Sequence, residues 1–511
     1  MKLPPSWGEA TNTRPGDSVL GTIFPRFFLP FQLLSMLLTL PALALAAALR
    51  LPAPPAPVTL RGHLDHAPAG DTVYVWYDHV KAGPFRPAKA VLRPGGNFEM
   101  MLRDVKEGPA SLNYARQRTV LYFTPGDQLA LTLDFPRFEE TVRYTGRGAA
   151  ANNYLARSRY KFEFGPATAD AVHLNEARTP STTPAQMRQL ADQARRQQQA
   201  FLKTYAAAHP LPPALQRQAA LDIDLDWGRA LLDYPGYHFA TAKQVAPLPA
   251  SYYNFLKELP LQKLDNQRMR EPVVRFVSAY GGRLLGPGEK LSAAPGAAAK
   301  LYAQATADFG PTLTRDLAMF QLLSFEAIQG DPLTVLAAYP TFRAQTRDST
   351  LARNMHELVR AQAALQPGQP APGFSLRDDS GKTVSLADFK GKVVYLDFWA
   401  SWCAPCIAEA PAGAELKQQF AGRDVVFLYI SIDRNPDDWR KALTKHALTG
   451  PTSVHLLDEA AYNTSAGKAY QAGGIPSYWL IGRDGRIRLA HAPQPSAGTA
   501  TIAAIEQALA Q

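Results

Sequence analysis

The segment from Val394 to Cys406 constrains the fold of this chain more than any other part of the sequence. A run of apolar residues, typical of a buried strand, leads into a Cys-x-x-Cys pair at the start of a predicted helix. Cys403 and Cys406 are the only two cysteines among the 511 residues. A disulfide-stapled scaffold and a cysteine-rich zinc protein are therefore excluded. The strand-to-helix junction predicts an α/β domain around the pair.

The placement of the two cysteines points to redox chemistry. Unpaired backbone N–H groups and the helix dipole stabilise an anion at a helix N-terminus, which favours the Cys403 thiolate. The thiolate attacks in disulfide exchange, and the three-residue spacing lets Cys406 resolve a mixed disulfide. The alternatives are two buried thiols, a zinc site, which would need more ligands than the segment supplies, and a static disulfide, which would constrain little. We predict a redox-active pair that needs no metal or other cofactor.

The pattern of the chain changes twice after its N-terminal segment, which predicts three folded regions. Residues 58–148 alternate β-branched and aromatic runs with Gly and Pro turns, as in a small antiparallel β-sandwich. Residues 149–362 carry apolar residues at helical spacing and form a predicted helical region. A linker rich in Pro and Gly begins at 366, and strands and helices then alternate to 511, as in an α/β domain with a central sheet.

Individual elements are predicted within the last two regions. The predicted helices of the helical region are 186–208, 215–232, 252–280, 298–307 and 312–328. The predicted strands of the C-terminal region are 393–398, 425–432, 477–481 and 486–490, the last two as a hairpin. Its predicted helices are 405–420, 437–446 and 499–510.

The N-terminal 50 residues read as an export signal. Residues 27–49 contain no charged residue, follow Arg26 and end in small residues that fit a cleavage site. The same stretch is long enough to span a bilayer, so an uncleaved anchor is the alternative. A Pro-rich tether at 51–57 argues against a buried helix. We therefore predict a protein of the periplasm or cell envelope, cleaved or tethered to the membrane through 27–49.

The distribution of charge gives no sign of nucleic-acid binding. The formal net charge is +10, but residues 366–511 hold 14 basic and 14 acidic residues, so the surplus lies upstream. No basic run there is longer than Arg195-Arg196, whereas a nucleic-acid binder concentrates its basic residues. The surplus is predicted to form a solvated basic surface.

Residues 366–511 resemble the thioredoxin fold, and within it the TlpA/ResA-like branch of exported thiol-disulfide oxidoreductases. The matching residues are Pro367–Phe374, Phe398–Cys406, Gly473–Ser477 and Leu480–Ile487. Trp-Cys-x-Pro-Cys together with a downstream Ile-Pro before a strand is specific to such proteins. A second, weaker resemblance, to the N-terminal β domain of Bacteroidetes-type TlpA-like proteins, is carried by Leu121–Asp127, Tyr144–Gly146 and Asn152–Leu155.

The resemblance assigns a role to each candidate residue. It implies that Cys403 is the nucleophile, that Cys406 resolves, and that Pro476 follows a cis peptide bond beside the active-site disulfide. Ile475 and Pro476 would pair with a substrate strand, with Trp402 as a further substrate contact. Asp397 corresponds to the buried carboxylate that takes the proton of the resolving thiol. Glu409 matches the acidic residue of the ResA-like branch.

For each of the two carboxylates, a purely structural role is the alternative to a catalytic one. Asp397 could be a core carboxylate paired elsewhere. Glu409 could be an exposed first-turn residue favoured by the helix dipole.

The predicted function is reduction of protein disulfides. No side-chain donor stands between the thiols at Ala404-Pro405, whereas strongly oxidising relatives rely on stabilisation of the thiolate. The resemblance implies protein disulfides as substrates and a membrane thiol donor that re-reduces the pair. A disulfide oxidase or isomerase is one alternative. Another is an envelope binding or assembly module whose thioredoxin domain is a redox-sensitive clamp.

Overall fold

A computed structural model describes residues 55–511, except for 69, 80–86, 116, 175–178, 330–331, 451–452, 460–464 and 473. The predicted signal peptide or anchor at 27–49 lies outside the described residues. Among the helices that are described, none is long and apolar enough to cross a membrane.

The first region is a β-sandwich of two four-stranded sheets. Its strands are β1 Val58–Asp65, β2 Thr72–His79, β3 Ala88–Val91, β4 Asn97–Leu102, β5 Val105–Tyr114, β6 Gln117–Phe123, β7 Gln128–Asp134 and β8 Arg143–Arg147. One sheet has the order β4-β1-β7-β8 and the other β3-β2-β5-β6. Alternate residues of β1 and β4 are buried, and both sheets contribute to one apolar core.

The sandwich differs from the antiparallel prediction at one pair of strands. β1 and β7 are parallel, with Leu60 opposite Leu129. Between these two strands the chain builds β4 of the same sheet and all four strands of the other sheet. Parallel neighbouring strands need a long crossover connection of this kind. A prediction based on local turn residues cannot detect such a connection.

The middle region is helical. After the short α1 Phe138–Thr141, its helices are α2 Ala149–Arg159, α3 Pro184–Ala208, α4 Pro213–Ala242, α5 Glu271–Leu285, α6 Ala297–Phe309, α7 Leu313–Gln329, α8 Pro332–Gln345 and α9 Ser349–Ala364. Buried side chains of α3 to α9 form a large core. A second cluster joins this region to the sandwich, because Tyr122 of β6 packs with Tyr154 of α2, Tyr205 of α3 and Leu215 of α4.

The predicted helix at 252–280 was wrong for its first half. Residues Tyr252–Glu258, Leu261–Lys263 and Asp265–Gln267 form three short 3₁₀ turns, and only α5 is an α-helix. Pro260 explains the break, because the residue before a proline avoids the helical region and Leu259 has extended dihedrals of −98° and 144°. Pro272 then lies in the first turn of α5, where its missing N–H has no cost.

The C-terminal region is a seven-stranded sheet with the order β10-β9-β13-β12-β11-β14-β15. Its strands are β9 Ser375–Asp378, β10 Thr383–Ser385, β11 Val393–Trp399, β12 Val425–Ser431, β13 Ser453–Leu457, β14 Ser477–Ile481 and β15 Ile487–Ala490. Its helices are α10 Ala404–Ala408, α11 Ala410–Gln419, α12 Pro436–Lys445, α13 Ser465–Ala469 and α14 Thr499–Leu509.

The central strand β11 is buried at every position. β12 pairs parallel on one side of it and β14 antiparallel on the other. Two apolar clusters cover the sheet, one around Trp439 of α12 and the other around Leu416 of α11 and Ile505 of α14. The site described next lies at the carboxyl end of β11, where the chain leaves the sheet.

The predicted helix at 405–420 was wrong in its continuity. It is interrupted at Glu409, between α10 and α11. Pro411 is the cause, because a proline inside a helix has no N–H to donate and its ring clashes with the carbonyl four residues earlier. Glu409 N donates to Cys406 O at 3.2 Å, and the next helix begins with Gly413 N donating to Glu409 O at 2.9 Å.

Candidate active site

Cys403 and Cys406 form a disulfide in this structure, with their Cα atoms 5.3 Å apart. Cys403 is the N-cap of α10, and its Sγ accepts a hydrogen bond from Cys406 N at 3.2 Å. Both cysteines are buried. An N-cap sulfur that accepts from the first helical turn is placed to gain stability as a thiolate.

The predicted substrate-binding residues are Trp402, Ile475 and Pro476. The Ile475–Pro476 peptide bond is cis, and Ile475 O lies 3.8 Å from Cys403 Sγ. Trp402 immediately precedes the nucleophile, and 65% of its surface is exposed. A backbone carbonyl beside the sulfur and an exposed ring next to Cys403 in the chain are suited to contact an extended peptide.

Asp397 lies behind the disulfide, on the central strand. In the sheet it stands between Tyr429 of β12 and Tyr478 of β14. The carboxyl is buried, and its Oδ1 has no hydrogen-bond partner among the described residues. Burial raises the pKa of Asp397 well above its usual value, and the nearby charge of Glu409 raises it further. A carboxyl of this kind can exchange a proton with a thiol.

A small cavity connects the two carboxyl groups with the resolving cysteine. Its walls include Asp397, Cys406, Glu409, Lys417 and Pro495. The space open to water is about 30 Å³, which is enough for one or two water molecules. Water in this cavity would give Asp397 Oδ1 the partner that it lacks in the protein.

Glu409 reaches the wall of this cavity because α10 ends there. Its carboxylate accepts hydrogen bonds from Ser496 N and Ser496 Oγ, each at 2.8 Å. The structure therefore brings Asp397, Cys406 and Glu409 to one cavity and places Ile475 O close to Cys403 Sγ.

Several residues of the site were missed in the sequence. Lys417 lies on the cavity wall, where burial lowers its pKa, and its Nζ donates to Leu448 O at 3.0 Å. Its spacing could have revealed it, because Cys406, Ala410, Gly413 and Lys417 follow one another at helical intervals of four, three and four. Ser496 gives no such local signal, because its partner Glu409 is 87 residues away.

Asp433 was also missed, although it holds the turn before Cys403. Its buried carboxylate accepts from Ser401 N at 2.9 Å, Ser401 Oγ at 2.7 Å and Ser431 Oγ at 2.7 Å.

The described residues contain no group of three or more His, Cys, Asp or Glu side chains arranged to hold a metal ion.

Comparisons with known proteins match part of this chain. The Redoxin family model matches residues 366–509. The thioredoxin-like protein YneN of Bacillus subtilis is 33% identical over 152 residues, which are 29% of this chain and 82% of that protein. The thiol-disulfide oxidoreductase ResA of Geobacillus kaustophilus is 30% identical over 148 residues, which are 29% of this chain and 79% of ResA.

Solved structures give similar matches. The thioredoxin domain of a thiol-disulfide oxidoreductase from Bacteroides vulgatus is 28% identical, with a TM-score of 0.25, and the match covers 28% of this chain and 97% of that domain. A thiol:disulfide interchange protein from a Bacteroides species is 26% identical, with a TM-score of 0.26, over 29% of this chain and 93% of that protein.

Proposed function

Because this chain belongs to the TlpA/ResA-like thiol-disulfide oxidoreductases of the thioredoxin fold, we propose that it is an exported reductase of protein disulfides. The observation that carries the proposal is a disulfide whose Cys403 Sγ lies close to the Ile475 carbonyl and whose Cys406 shares a cavity with the buried Asp397 carboxyl. We assign Ile475 O and the exposed Trp402 to contact with the substrate. Asp397 and its cavity lie on the side of Cys406.

The reaction begins with the reduced pair. The Cys403 thiolate attacks one sulfur of a substrate disulfide, so that a Cys403–substrate bond forms and the other substrate sulfur leaves as a thiolate. Cys406 then loses its proton to the Asp397 carboxylate and attacks Cys403 Sγ. The Cys403–Cys406 disulfide forms and the second substrate sulfur leaves. The substrate gains two electrons, the pair loses two, and an external dithiol must re-reduce it.

The surroundings of Cys403 support reduction rather than oxidation. Its Sγ receives a backbone hydrogen bond from Cys406 N but lies close to the carbonyl oxygen of Ile475, whose negative end disfavours a thiolate. The helix α10, which Cys403 caps, is only five residues long, so its dipole contributes less than that of the longer predicted helix. A weakly stabilised thiolate makes the reduced pair a better electron donor.

The proposal also includes a cellular location, a class of substrate and an electron donor. The uncharged stretch 27–49 supports export to the periplasm or cell envelope, with cleavage or retention as a tether. The substrates are protein disulfides. A membrane thiol donor supplies the electrons.

The test is reduction of insulin disulfides by the full chain with an external dithiol. We expect Cys403→Ser to abolish the activity and Cys406→Ser to accumulate a mixed disulfide with the substrate. The reduction potential should lie nearer to the about −270 mV of thioredoxin than to the about −120 mV of a strong oxidant. Reduction that persists in Cys403→Ser, or a potential near the oxidising end, would contradict the proposal.

A further inference from the structure

A turn between the last strand and the last helix forms part of the cavity wall behind Cys406. It contains the 3₁₀ segment Pro495–Ala497, and the buried Pro495 lines the cavity. Thr501 Oγ1 donates to Gln494 O at 2.6 Å, and Tyr395 Oη of β11 donates to Pro493 O at 2.7 Å. These bonds fix the turn against the central strand that carries Asp397.

Ser496 of this turn binds both oxygens of the Glu409 carboxylate. Ser496 N donates to Oε2 and Ser496 Oγ donates to Oε1. Gln494 Nε2 donates to Ser496 Oγ at 2.9 Å, which leaves the hydroxyl proton for Glu409. A long glutamate side chain normally samples several rotamers, whereas two converging hydrogen bonds hold this one in a single orientation.

The position of Glu409 matters because its charge acts on Asp397. The two carboxyl groups line the same cavity, and Glu409 adds to burial in raising the pKa of Asp397. Other titratable groups also surround Asp397 or line the cavity with it: Tyr395, Cys406, Lys417, Tyr429 and Tyr478.

The tyrosines and the neighbouring His455 keep their charge state across the neutral range. Burial raises the pKa values of the three tyrosines, so they stay uncharged. His455 stacks on Tyr429, and burial together with Lys417 lowers its pKa to about 4, so it is neutral as well. Lys417 Nζ is held in place by its hydrogen bond to Leu448 O. The place of the Glu409 charge, in contrast, depends on two hydrogen bonds from Ser496, one of which comes from an exposed hydroxyl.

We propose that Ser496 is a positioning residue for disulfide exchange: it fixes the Glu409 carboxylate at the cavity wall and thereby sets the pH at which Asp397 exchanges a proton with Cys406. The inference rests on the proposed function, because this proton is the one that Cys406 loses in the resolving step. Without the Ser496 hydroxyl, only the hydrogen bond from Ser496 N remains, and Glu409 turns more readily toward solvent, where water screens its charge. Asp397 then ionises at lower pH.

The experiment compares Ser496→Ala with Ser496→Thr, which keeps the hydroxyl, and with Glu409→Gln, which removes the charge. The reduced full chain is mixed with a fluorescent peptide disulfide, and the attack and resolving phases are recorded from about pH 5 to pH 9. In Ser496→Ala the midpoint of the resolving phase should fall by about half a pH unit, with the attack phase unchanged. Ser496→Thr should keep the native midpoint, and Glu409→Gln should lower it at least as far as Ser496→Ala.

A second readout does not depend on turnover. In the oxidised full chain, the Asp397 carboxyl is titrated by NMR after ¹³C labelling of aspartate, and Ser496→Ala should lower its midpoint. Ser496 is exposed, so the alanine variant should fold, and Ser496→Gly serves if it does not. A native midpoint in Ser496→Ala and Ser496→Gly would overturn the inference. A native chain that never attacks the peptide would instead refute the proposed function, while the NMR titration would still decide the role of Ser496.

Discussion

At the scale of single residues, Asp397 carries a stability cost that depends on pH. Because its pKa is raised by burial, the folded protein keeps this proton at pH values where the unfolded chain has lost it. The stability that goes with the protonated form is complete below about pH 4 and is lost as the pH rises toward the raised pKa.

We therefore expect Asp397→Asn to change stability in a pH-dependent way. Asparagine has a similar shape but does not titrate. The variant therefore does not lose stability as the pH rises, whereas the native protein does. The difference in Tm, variant minus native, should increase from about pH 4 to about pH 8. Thermal unfolding of the oxidised proteins at a series of pH values measures it. A difference that is constant across the series would show that Asp397 has an ordinary pKa.

Asp433 is a second residue whose effect can be predicted. Its buried carboxylate accepts three hydrogen bonds from Ser401 and Ser431, so Asp433→Ala leaves these donors without an acceptor. We expect a loss of about 2–4 kcal/mol in the free energy of unfolding, and about 1 kcal/mol for the control Ser401→Ala, which removes a single hydroxyl. Urea unfolding measures both. Equal losses in the two variants would mean that the carboxylate does not organise the turn before Cys403.

At the scale of elements, the segments that carry the weaker N-terminal resemblance hold the sandwich to the helical region. Asn152 of α2 is fully buried, accepts from Tyr122 N and donates to Tyr122 O, each at 2.9 Å. Asn153 makes the same pair of bonds with Tyr144 of β8, at 2.9 and 2.7 Å. Two adjacent side chains thus supply the hydrogen bonds that another strand would give to β6 and β8.

Asn152→Ala should consequently destabilise the protein by about 2–3 kcal/mol, because two backbone groups of Tyr122 lose their buried partners. Asn152→Asp should cost a similar amount, since an oxygen would then face Tyr122 O. The comparison variant is Asn153→Ala, at the less buried position, with an expected loss of about 1 kcal/mol. Denaturant unfolding of the full chain checks the order. An Asn152→Asp variant as stable as the native chain would exclude this role.

The elements also show what the sequence could reveal. The apolar run of β11, its Cys-x-x-Cys and the 3.6-residue spacing of α3 are local signals, and these elements lie within two residues of their predicted bounds. Pro260 and Pro411 were present in the sequence, but the apolar spacing around them outweighed them in the prediction. The parallel pairing of β1 with β7 and the Ser496–Glu409 contact join distant segments. No periodicity within one segment encodes such contacts.

At the scale of the whole molecule, the sandwich and the helical region share a buried cluster in addition to their own cores. The cluster around Tyr122 and Tyr154 contains residues of both the sandwich and the helical region. The two clusters of the C-terminal sheet are instead built from residues 365–511. Leu365, one residue before the predicted boundary, is buried in the first of them. The C-terminal region therefore has the core that independent folding requires.

The segment that leads into this region closes one edge of its sheet. Gly368 N donates to Ile487 O at 2.8 Å, Ile487 N donates to Gln369 O at 2.9 Å, and Ala371 N donates to Gly485 O at 3.0 Å. These bonds cover β15, which would otherwise be an open edge strand. The Pro- and Gly-rich stretch, predicted as a linker, is thus also part of the folded sheet.

Two fragments test this organisation. We expect residues 365–511 to unfold in one cooperative transition and to reduce small disulfides like the full chain, because their core and sheet edge are complete. Residues 374–511 lack Leu365 and the segment that covers β15, so this fragment should be less stable by about 2–4 kcal/mol and should self-associate through the open edge. Urea unfolding measures the first difference and size-exclusion chromatography the second. If the shorter fragment is as stable and as monomeric as the longer one, the leading segment is only a linker.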